Sequence, residues 1–209
     1  MTITDILFHS LNSLQRVFIG WFIALFLGVV LGLLRASLPK FIRNNFLFNF
    51  FLEVPRFPPP IAWIPFVILL LGIGEWSAYT IVFIGAFPPI FTSTYEAAIN
   101  IPEPILRFTN SLQLPRWKKL FHILMMYISP EIFTSIKVAA AMAWMCVIAA
   151  EMISGQSGLG YAIQLGRLNM QYDEVLLCML AIGTVGYFIH WLLNVSESFL
   201  LPWSMKGKF

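Results

Sequence analysis

Long apolar stretches alternate with short polar segments along the whole chain. Five stretches of 18 to 22 residues carry almost no charge, and each is close to the roughly 20 apolar residues that a membrane-spanning helix requires. No segment alternates apolar and polar residues as a strand of a membrane barrel does. The pattern predicts an all-α fold, a polytopic helical membrane bundle of about five spans that forms a single domain over residues 1–209. The predicted spans are residues 17–34, 57–74, 76–95, 132–153 and 175–196.

The first stretch carries three glycines, Gly20, Gly28 and Gly32, at spacings that are multiples of four. Small residues at this spacing share one face of a helix and allow a second helix to approach closely. A signal peptide is the alternative interpretation of an early apolar stretch, but no small-residue cleavage site follows this one. We therefore interpret residues 17–34 as a retained span that packs through its glycine face.

Prolines interrupt the second stretch at Pro58, Pro59, Pro60 and Pro65. Because proline cannot donate a backbone hydrogen bond, we expect the helix proper to begin near Pro60 and to be kinked at Pro65. Kinked helices often line a path. The aromatic segment before it, residues 41–53, has basic flanks and predicts a short helix at the membrane surface.

Composition and charge support a lipid environment with one orientation. The chain is 59% hydrophobic and 11% charged, whereas a soluble domain carries about 25% charged residues. Of the 13 basic residues, eleven fall in segments 35–56 and 96–137 and at the C-terminus, and only Arg16 and Arg167 lie on the other side. The positive-inside rule then predicts an outside N-terminus and a cytoplasmic C-terminus. An outside N-terminus without a signal also leads us to expect that one preceding span is missing.

Motifs for catalysis, metal binding or nucleic-acid binding are scarce. The sequence lacks a phosphate loop of the GxxxxGK[ST] type, HExxH, CxxC and GxSxG. Both cysteines, Cys146 and Cys178, lie in apolar stretches, and the three histidines are scattered. The basic residues flank apolar stretches instead of forming one stripe. We therefore expect no catalytic residue, no metal, no cofactor and no nucleic-acid partner.

Two segments resemble the permease subunits of ABC importers for nitrate, sulfonate, taurine and bicarbonate. One reads EVPRFPPPIAWIPFVILLLGIGEW from residue 53, and the other begins LRFTNSLQLPRWKKLF at residue 106. Ala150, Glu151 and Ile153, followed by SGLGY at residues 157–161, are its most specific part. The resemblance implies a non-catalytic permease subunit of an ATP-driven importer for a small solute, such as one of these anions, with ATP hydrolysed by a separate chain.

The resemblance also implies partners and a location. The partners are cytoplasmic ABC ATPase subunits, a second permease copy or paralogue, an external solute-binding protein and the lipid of the inner (plasma) membrane, which the chain crosses several times. In these permeases a cytoplasmic coupling loop docks on the ATPase, and the resemblance places it near residues 103–122. The family's acidic and glycine positions fall on Arg107 and Gln113 here, which departs from the family pattern. The implied ATPase-contacting residues are Arg107, Leu112, Gln113, Leu114, Pro115, Arg116 and Trp117.

Four residues are candidates for the solute path, namely Pro65, Glu151, Gly158 and Gly160. A carboxylate within a span is a functional candidate by default, although a snorkelling or helix-capping role is an equal alternative for Glu151. The two glycines predict a tight turn, with substrate contact as the lesser alternative.

A stand-alone channel or secondary transporter is the alternative to an importer subunit. Such a protein would be expected to carry more buried ionisable residues than Lys137, Glu151 and His190 provide.

Overall fold

The computed structural model describes residues 3–43, 45–112, 115 and 123–205, and every regular element within these ranges is a helix. Two short 3-10 helices, Val54–Arg56 and Pro60–Trp63, stand between α3 and α4. The α-helices are α1 (Ile3–Ser37), α2 (Lys40–Arg43), α3 (Phe46–Glu53), α4 (Ile64–Leu71), α5 (Glu75–Ile99), α6 (Glu103–Ser111), α7 (Met125–Ser154), α8 (Leu159–Leu168), α9 (Tyr172–Leu200) and α10 (Pro202–Met205).

Among the described residues, three helices are long and apolar enough to cross a membrane, namely Thr4–Ser37, Met125–Ser154 and Tyr172–Leu200. The bent pair Asn49–Arg56 and Pro60–Leu71 adds a fourth if it is counted as one span. The remaining long helix, α5, contains Pro88 and Pro89 and is packed between α1 and α7. Because its neighbours cover it, α5 needs less apolar surface than a helix that faces lipid. The architecture is the predicted helical membrane bundle.

The second predicted span differs from expectation in where it bends. The two parts of the bent pair meet at 93°, and the break lies between Arg56 and Pro60. Pro65 lies in the first turn of α4, where a missing N–H interrupts no helical hydrogen bond. The expected kink at Pro65 is therefore wrong, and the three consecutive prolines at 58–60 make the bend instead.

Helices α1 and α5 run side by side in the same direction. Gly20 faces Val82, Gly28 faces Ile90 and Gly32 faces Thr94, so the offset is 62 residues each time. A Cβ on these glycines would lie 2.6 to 2.8 Å from the facing side chain. This contact confirms the prediction that the glycine face of the first stretch receives a neighbouring helix.

Helix α7 packs on α5 in the opposite direction. Gly85 of α5 lies against Cys146 of α7, whereas Ala97, near the end of α5, packs with Ile128 and Ile132. The α7 face within the core is mostly alanine, which lets the helices approach closely. Both cysteines are buried and unbridged. The antiparallel arrangement gives the bundle two ends, which we name the Glu151 end and the α6 end.

Candidate functional site

A buried ion-pair cluster joins three long helices at the Glu151 end. Arg16 of α1 is only 6% exposed at its side chain, and its Nη1 donates to Oε1 of Glu151 at 2.8 Å. The other edge of the guanidinium donates to both carboxylate oxygens of Glu75, from Nε at 2.7 Å and from Nη2 at 2.5 Å. The Glu151 side chain has no exposed surface, whereas that of Glu75 is half exposed. One cation therefore holds α1, the start of α5 and the end of α7 together.

Ser157, in the turn after α7, completes the coordination of Arg16. Its carbonyl oxygen accepts from Nη1 at 2.6 Å, and its Oγ accepts from Nη2 at 2.7 Å. An arginine has five N–H donors, and these five contacts use all of them. In this arrangement the guanidinium has no donor left for a solute anion.

The start of α8 is capped by side chains from other helices. The amides of Gly158, Leu159 and Gly160 donate in turn to His9 Nδ1 at 3.1 Å, Ser13 Oγ at 3.0 Å and Glu151 Oε2 at 3.0 Å. The Ser13 hydroxyl also lies 2.9 Å from Oε2 of Glu151. The first amides of a helix have no partner within it, and the anionic carboxylate is favoured at the positive end of the helix dipole. α8 is thereby fixed to α1 and α7.

Glycine is required at two positions of this turn because the backbone there lies too close to α7 for a Cβ atom. Gly158 has a φ of +106°, which side-chain-bearing residues rarely adopt, and a Cβ there would overlap the Glu151 carboxylate. At Gly160 a Cβ would overlap the carbonyl oxygen of Ile148 and lie 2.8 Å from the Glu151 Cβ. The tight turn predicted from the two glycines is present, and its function is to let the backbone reach the buried carboxylate.

We name Arg16, Glu75, Glu151 and Ser157, with Ser13 and His9, the outer clasp, after the side of the membrane on which the topology predicted from the basic residues places it. Beside it lies a cavity of only about 80 Å³, bordered by Arg16, Gly74, Glu75, Glu151 and Gln156 among others. Every donor of Arg16 is engaged and the space is small. The arrangement is suited to fixing helix positions and poorly suited to holding a solute.

The structure brings together three of the four residues predicted for the path. Glu151, Gly158 and Gly160 are in contact within the outer clasp. Pro65 is exposed on α4 and borders neither the clasp nor its cavity. Its part in a path stays a prediction.

Sequence reasoning missed the partners of Glu151. A signal for them exists, because Arg16 precedes the first apolar stretch, Glu75 precedes the third and Glu151 ends the fourth. Spans that alternate in direction place these three charges on one side of the membrane.

The predicted ATPase-contacting segment is described only in part. Gln113, Leu114, Arg116 and Trp117 lie outside the described residues. Arg107 is exposed in α6 and pairs with Glu103 one turn earlier, at 2.7 Å. Leu112 is 42% exposed and Pro115 is exposed. This segment begins where α5 ends, at the α6 end, opposite the outer clasp.

Comparison with known proteins gives a consistent result. The description of the matching family is "binding-protein-dependent transport system inner membrane component", and the match covers residues 24–203. A putative ABC transporter permease protein of Methanocaldococcus jannaschii is 33% identical over 201 residues, covering 96% of this chain and 74% of its own. The nitrate import permease protein of a Synechocystis species is 30% identical over 194 residues, covering 93% and 70%.

A solved structure shows the same fold. This is the inward-facing MetNI methionine ABC transporter, which superposes with a TM-score of 0.72 and covers 97% of this chain and 98% of that one. Its sequence identity is 18%, so the likeness concerns the fold alone.

Proposed function

This chain belongs to the family of binding-protein-dependent transport system inner membrane components, and we propose that the solute it carries is a small anion such as nitrate, a sulfonate, taurine or bicarbonate. As a member of that family it is the membrane-spanning permease subunit of an ABC importer. It is non-catalytic, and ATP is hydrolysed by a separate ATPase subunit. The single observation that supports an anion is the relationship to a nitrate permease over almost the whole chain.

The finer assembly is part of the same proposal. The chain pairs with a second permease copy or paralogue in the inner (plasma) membrane and receives solute from an external binding protein. The surface of α9 supports a further membrane partner, because only 6% of its most apolar window is buried. In this scheme the helices alternate between conformations that open the path to one side and then to the other.

The coupling segment is proposed to comprise residues 103–122, which begin with α6. It follows directly from α5, and α5 is joined to α1 along its length by the glycine contacts and at the far end by Arg16. A displacement of α6 by the ATPase would therefore be passed to α5 and α1 together. Exposed Leu112 fits an anchor that becomes buried in a partner groove.

Co-purification tests the coupling segment. Leu114→Asp and Trp117→Asp would each place a charge without a partner in the docking groove, and we expect binding of the ATPase to weaken by roughly 3 kcal/mol or more. Arg167→Gln is the control, because it alters an exposed charge on α8, outside the coupling segment. Both Asp variants should insert normally, since the spans are unchanged. Retention of the ATPase and of transport by both Asp variants would contradict the docking role.

Transport assays test the solute class. The assembled importer with its binding protein is placed in liposomes, and uptake of labelled nitrate, taurine and bicarbonate is compared with that of a neutral sugar. ATP-dependent uptake of one of the anions supports the proposal. Uptake that proceeds without ATP would instead support the alternative, a stand-alone channel or secondary transporter.

A further inference from the structure

A chain of polar side chains joins α7 and α9 in the half of the bundle nearer the α6 end, with Glu197 only three residues before the end of α9. Lys137 stands 12 residues after the start of α7 and 17 before its end. Its Nζ donates to Oε2 of Glu197 at 2.7 Å and to Oδ1 of Asn194 at 3.3 Å. The side chains of Lys137 and Glu197 are 21% and 17% exposed. Ionisable residues within a span usually face a partner or a water-filled cavity.

The hydrogen bonds of Asn194 determine which ring nitrogen of His190 carries the proton. Since Oδ1 of Asn194 accepts from Lys137, its Nδ2 is the group that faces Nε2 of His190 at 2.9 Å. An amide nitrogen only donates, so Nε2 of the neutral ring accepts and the ring proton is on Nδ1. His190 is exposed, and its Nδ1–H is available as a donor. Lys137 has three N–H donors and uses two within the described part of the chain, which leaves a second available donor.

These two residues border a cavity of about 190 Å³ between α7 and α9. Trp144 forms one wall, and its indole N–H donates to the carbonyl oxygen of Ile182 at 3.2 Å, which sets the spacing of the two helices. Small residues leave the cavity open. The lining includes Lys137, Ala140, Ala141, Trp144, Gly186 and His190.

A larger cavity of about 530 Å³ lies between α1, α3 and α5, but it fits a small anion poorly. Its lining includes Leu31, Phe51, Phe83 and Phe87. Arg35 and Trp63 also border it, yet Arg35 Nε and Trp63 Nε1 are buried and have no hydrogen-bond partner. These two donors are covered, and Arg56 is the one exposed cation among the described residues of an otherwise apolar lining, whereas two available donors border the smaller α7–α9 cavity.

We propose that the α7–α9 cavity holds the transported anion in the half of its path nearer the α6 end, between Nζ of Lys137 and Nδ1 of His190. The inference rests on the proposed function. Glu197 offsets the charge of Lys137 but does not border the cavity, so the cavity wall presents the cation while its net attraction for an anion stays modest. Binding is therefore weak enough to allow release, as conduction requires. The outer clasp differs, because all the donors of Arg16 are occupied.

The double variant Lys137→Gln/Glu197→Gln tests the site without leaving an unpaired charge. Glutamines can keep a hydrogen bond between α7 and α9 but remove the cation. In liposomes containing the whole importer, ATP-dependent nitrate uptake should fall about tenfold or more. Arg167→Gln is the matched control, because it removes an exposed cation from α8. Unchanged nitrate uptake by the double variant would overturn the site.

A second readout does not depend on the identity of the solute. Ala141, which is exposed and borders the cavity, is changed to Cys in a chain where Cys146 and Cys178 are Ser. A negatively charged methanethiosulfonate reagent should modify this thiol faster than a positively charged one of similar size. The preference should disappear in the Lys137→Gln/Glu197→Gln background.

This labelling separates the two proposals. If the wild type takes up no nitrate, taurine or bicarbonate, the solute class is wrong, and a retained preference for the anionic reagent still supports the site. Equal rates for the two reagents would overturn the site even if nitrate is transported. A thiol that reacts with neither reagent would also overturn it, because the cavity would then be covered, for example by a second copy.

Discussion

Arg16 and Glu151 form a 2.8 Å ion pair although 135 residues separate them in the sequence. Glu75 holds the opposite edge of the same guanidinium, and Ser157 closes the remaining positions. A single side chain thus fixes the relative positions of α1, α5 and α7 at one end of the bundle. The carboxylate of Glu151 in turn fixes the start of α8.

We predict that Arg16→Met lowers the stability of the protein by about 3 to 5 kcal/mol, because it leaves the buried Glu151 carboxylate without a cation. The double variant Arg16→Met/Glu151→Met should be less destabilised than the sum of the single changes, since no buried charge is left unpaired. Unfolding of the detergent-purified protein measures both effects. The control is Arg107→Met, which removes an exposed pair and should change stability little. Strict additivity of the two single changes would contradict the pairing.

We predict that Gly158→Ala and Gly160→Ala each destabilise the turn before α8. At Gly158 both the positive φ and the overlap with the Glu151 carboxylate oppose a Cβ, whereas at Gly160 the overlap acts alone. Gly158→Ala should therefore be the more costly. Gly183→Ala is the control, because no atom lies within 4 Å of the new Cβ and alanine favours helix. Thermal stability in detergent ranks the three variants, and a Gly158 variant as stable as the Gly183 variant would disprove the packing argument.

We predict that Gly28→Ala weakens the contact between α1 and α5 and that Ile90→Ala partly rescues it. The new Cβ would lie 2.8 Å from Cγ2 of Ile90, an atom that Ile90→Ala removes. Ile90→Ala alone should also destabilise, because it leaves a cavity in the core. A double-mutant cycle on unfolding should show favourable coupling between the two changes. An absence of coupling would mean that the helices separate to accept the alanine.

We predict an outside N-terminus and a cytoplasmic C-terminus, from the eleven-to-two distribution of basic residues. Alkaline phosphatase fused after Met170, between α8 and α9, should be active. The same reporter fused at the C-terminus should be inactive, whereas a fluorescent protein there should fold and fluoresce. The reverse pattern would overturn the topology and would place the outer clasp on the inside.

The sequence predicts the helices of this protein better than it predicts the outer clasp. Apolar stretches give helix positions directly, and the glycine spacing in the first stretch indicated close contact with a neighbouring helix, which the structure shows to be α5. The ends of the helices are predicted less well, since α1 begins at Ile3 although its uncharged stretch begins at Val17. Those first residues carry His9, Ser13 and Arg16, which lack an apolar pattern because they pack on other polar groups.

Glu151 shows how far a single residue can be interpreted from sequence. A carboxylate in an apolar span signals a special role, and both a functional and a helix-capping interpretation were open. The structure shows it bound to the start of α8 and to Arg16 at once. The capping partner could not be read from the sequence, because it depends on how the turn at Gly158 folds back onto α7.

The order in which the chain is made gives the outer clasp a further consequence, for insertion into the membrane. At the roughly 5 to 20 residues per second of protein synthesis, Glu75 follows Arg16 by about 3 to 12 s and Glu151 follows it by about 7 to 27 s, since 59 and 135 residues separate them. Arg16 can therefore pair first with Glu75, whose half-exposed carboxylate remains solvated until the pair forms. Glu151, which is fully buried in the folded protein, is synthesised when Arg16 is already in position. Helix α7, which carries the fully buried carboxylate of Glu151, is thus inserted into the membrane after α1, whose Arg16 neutralises that carboxylate.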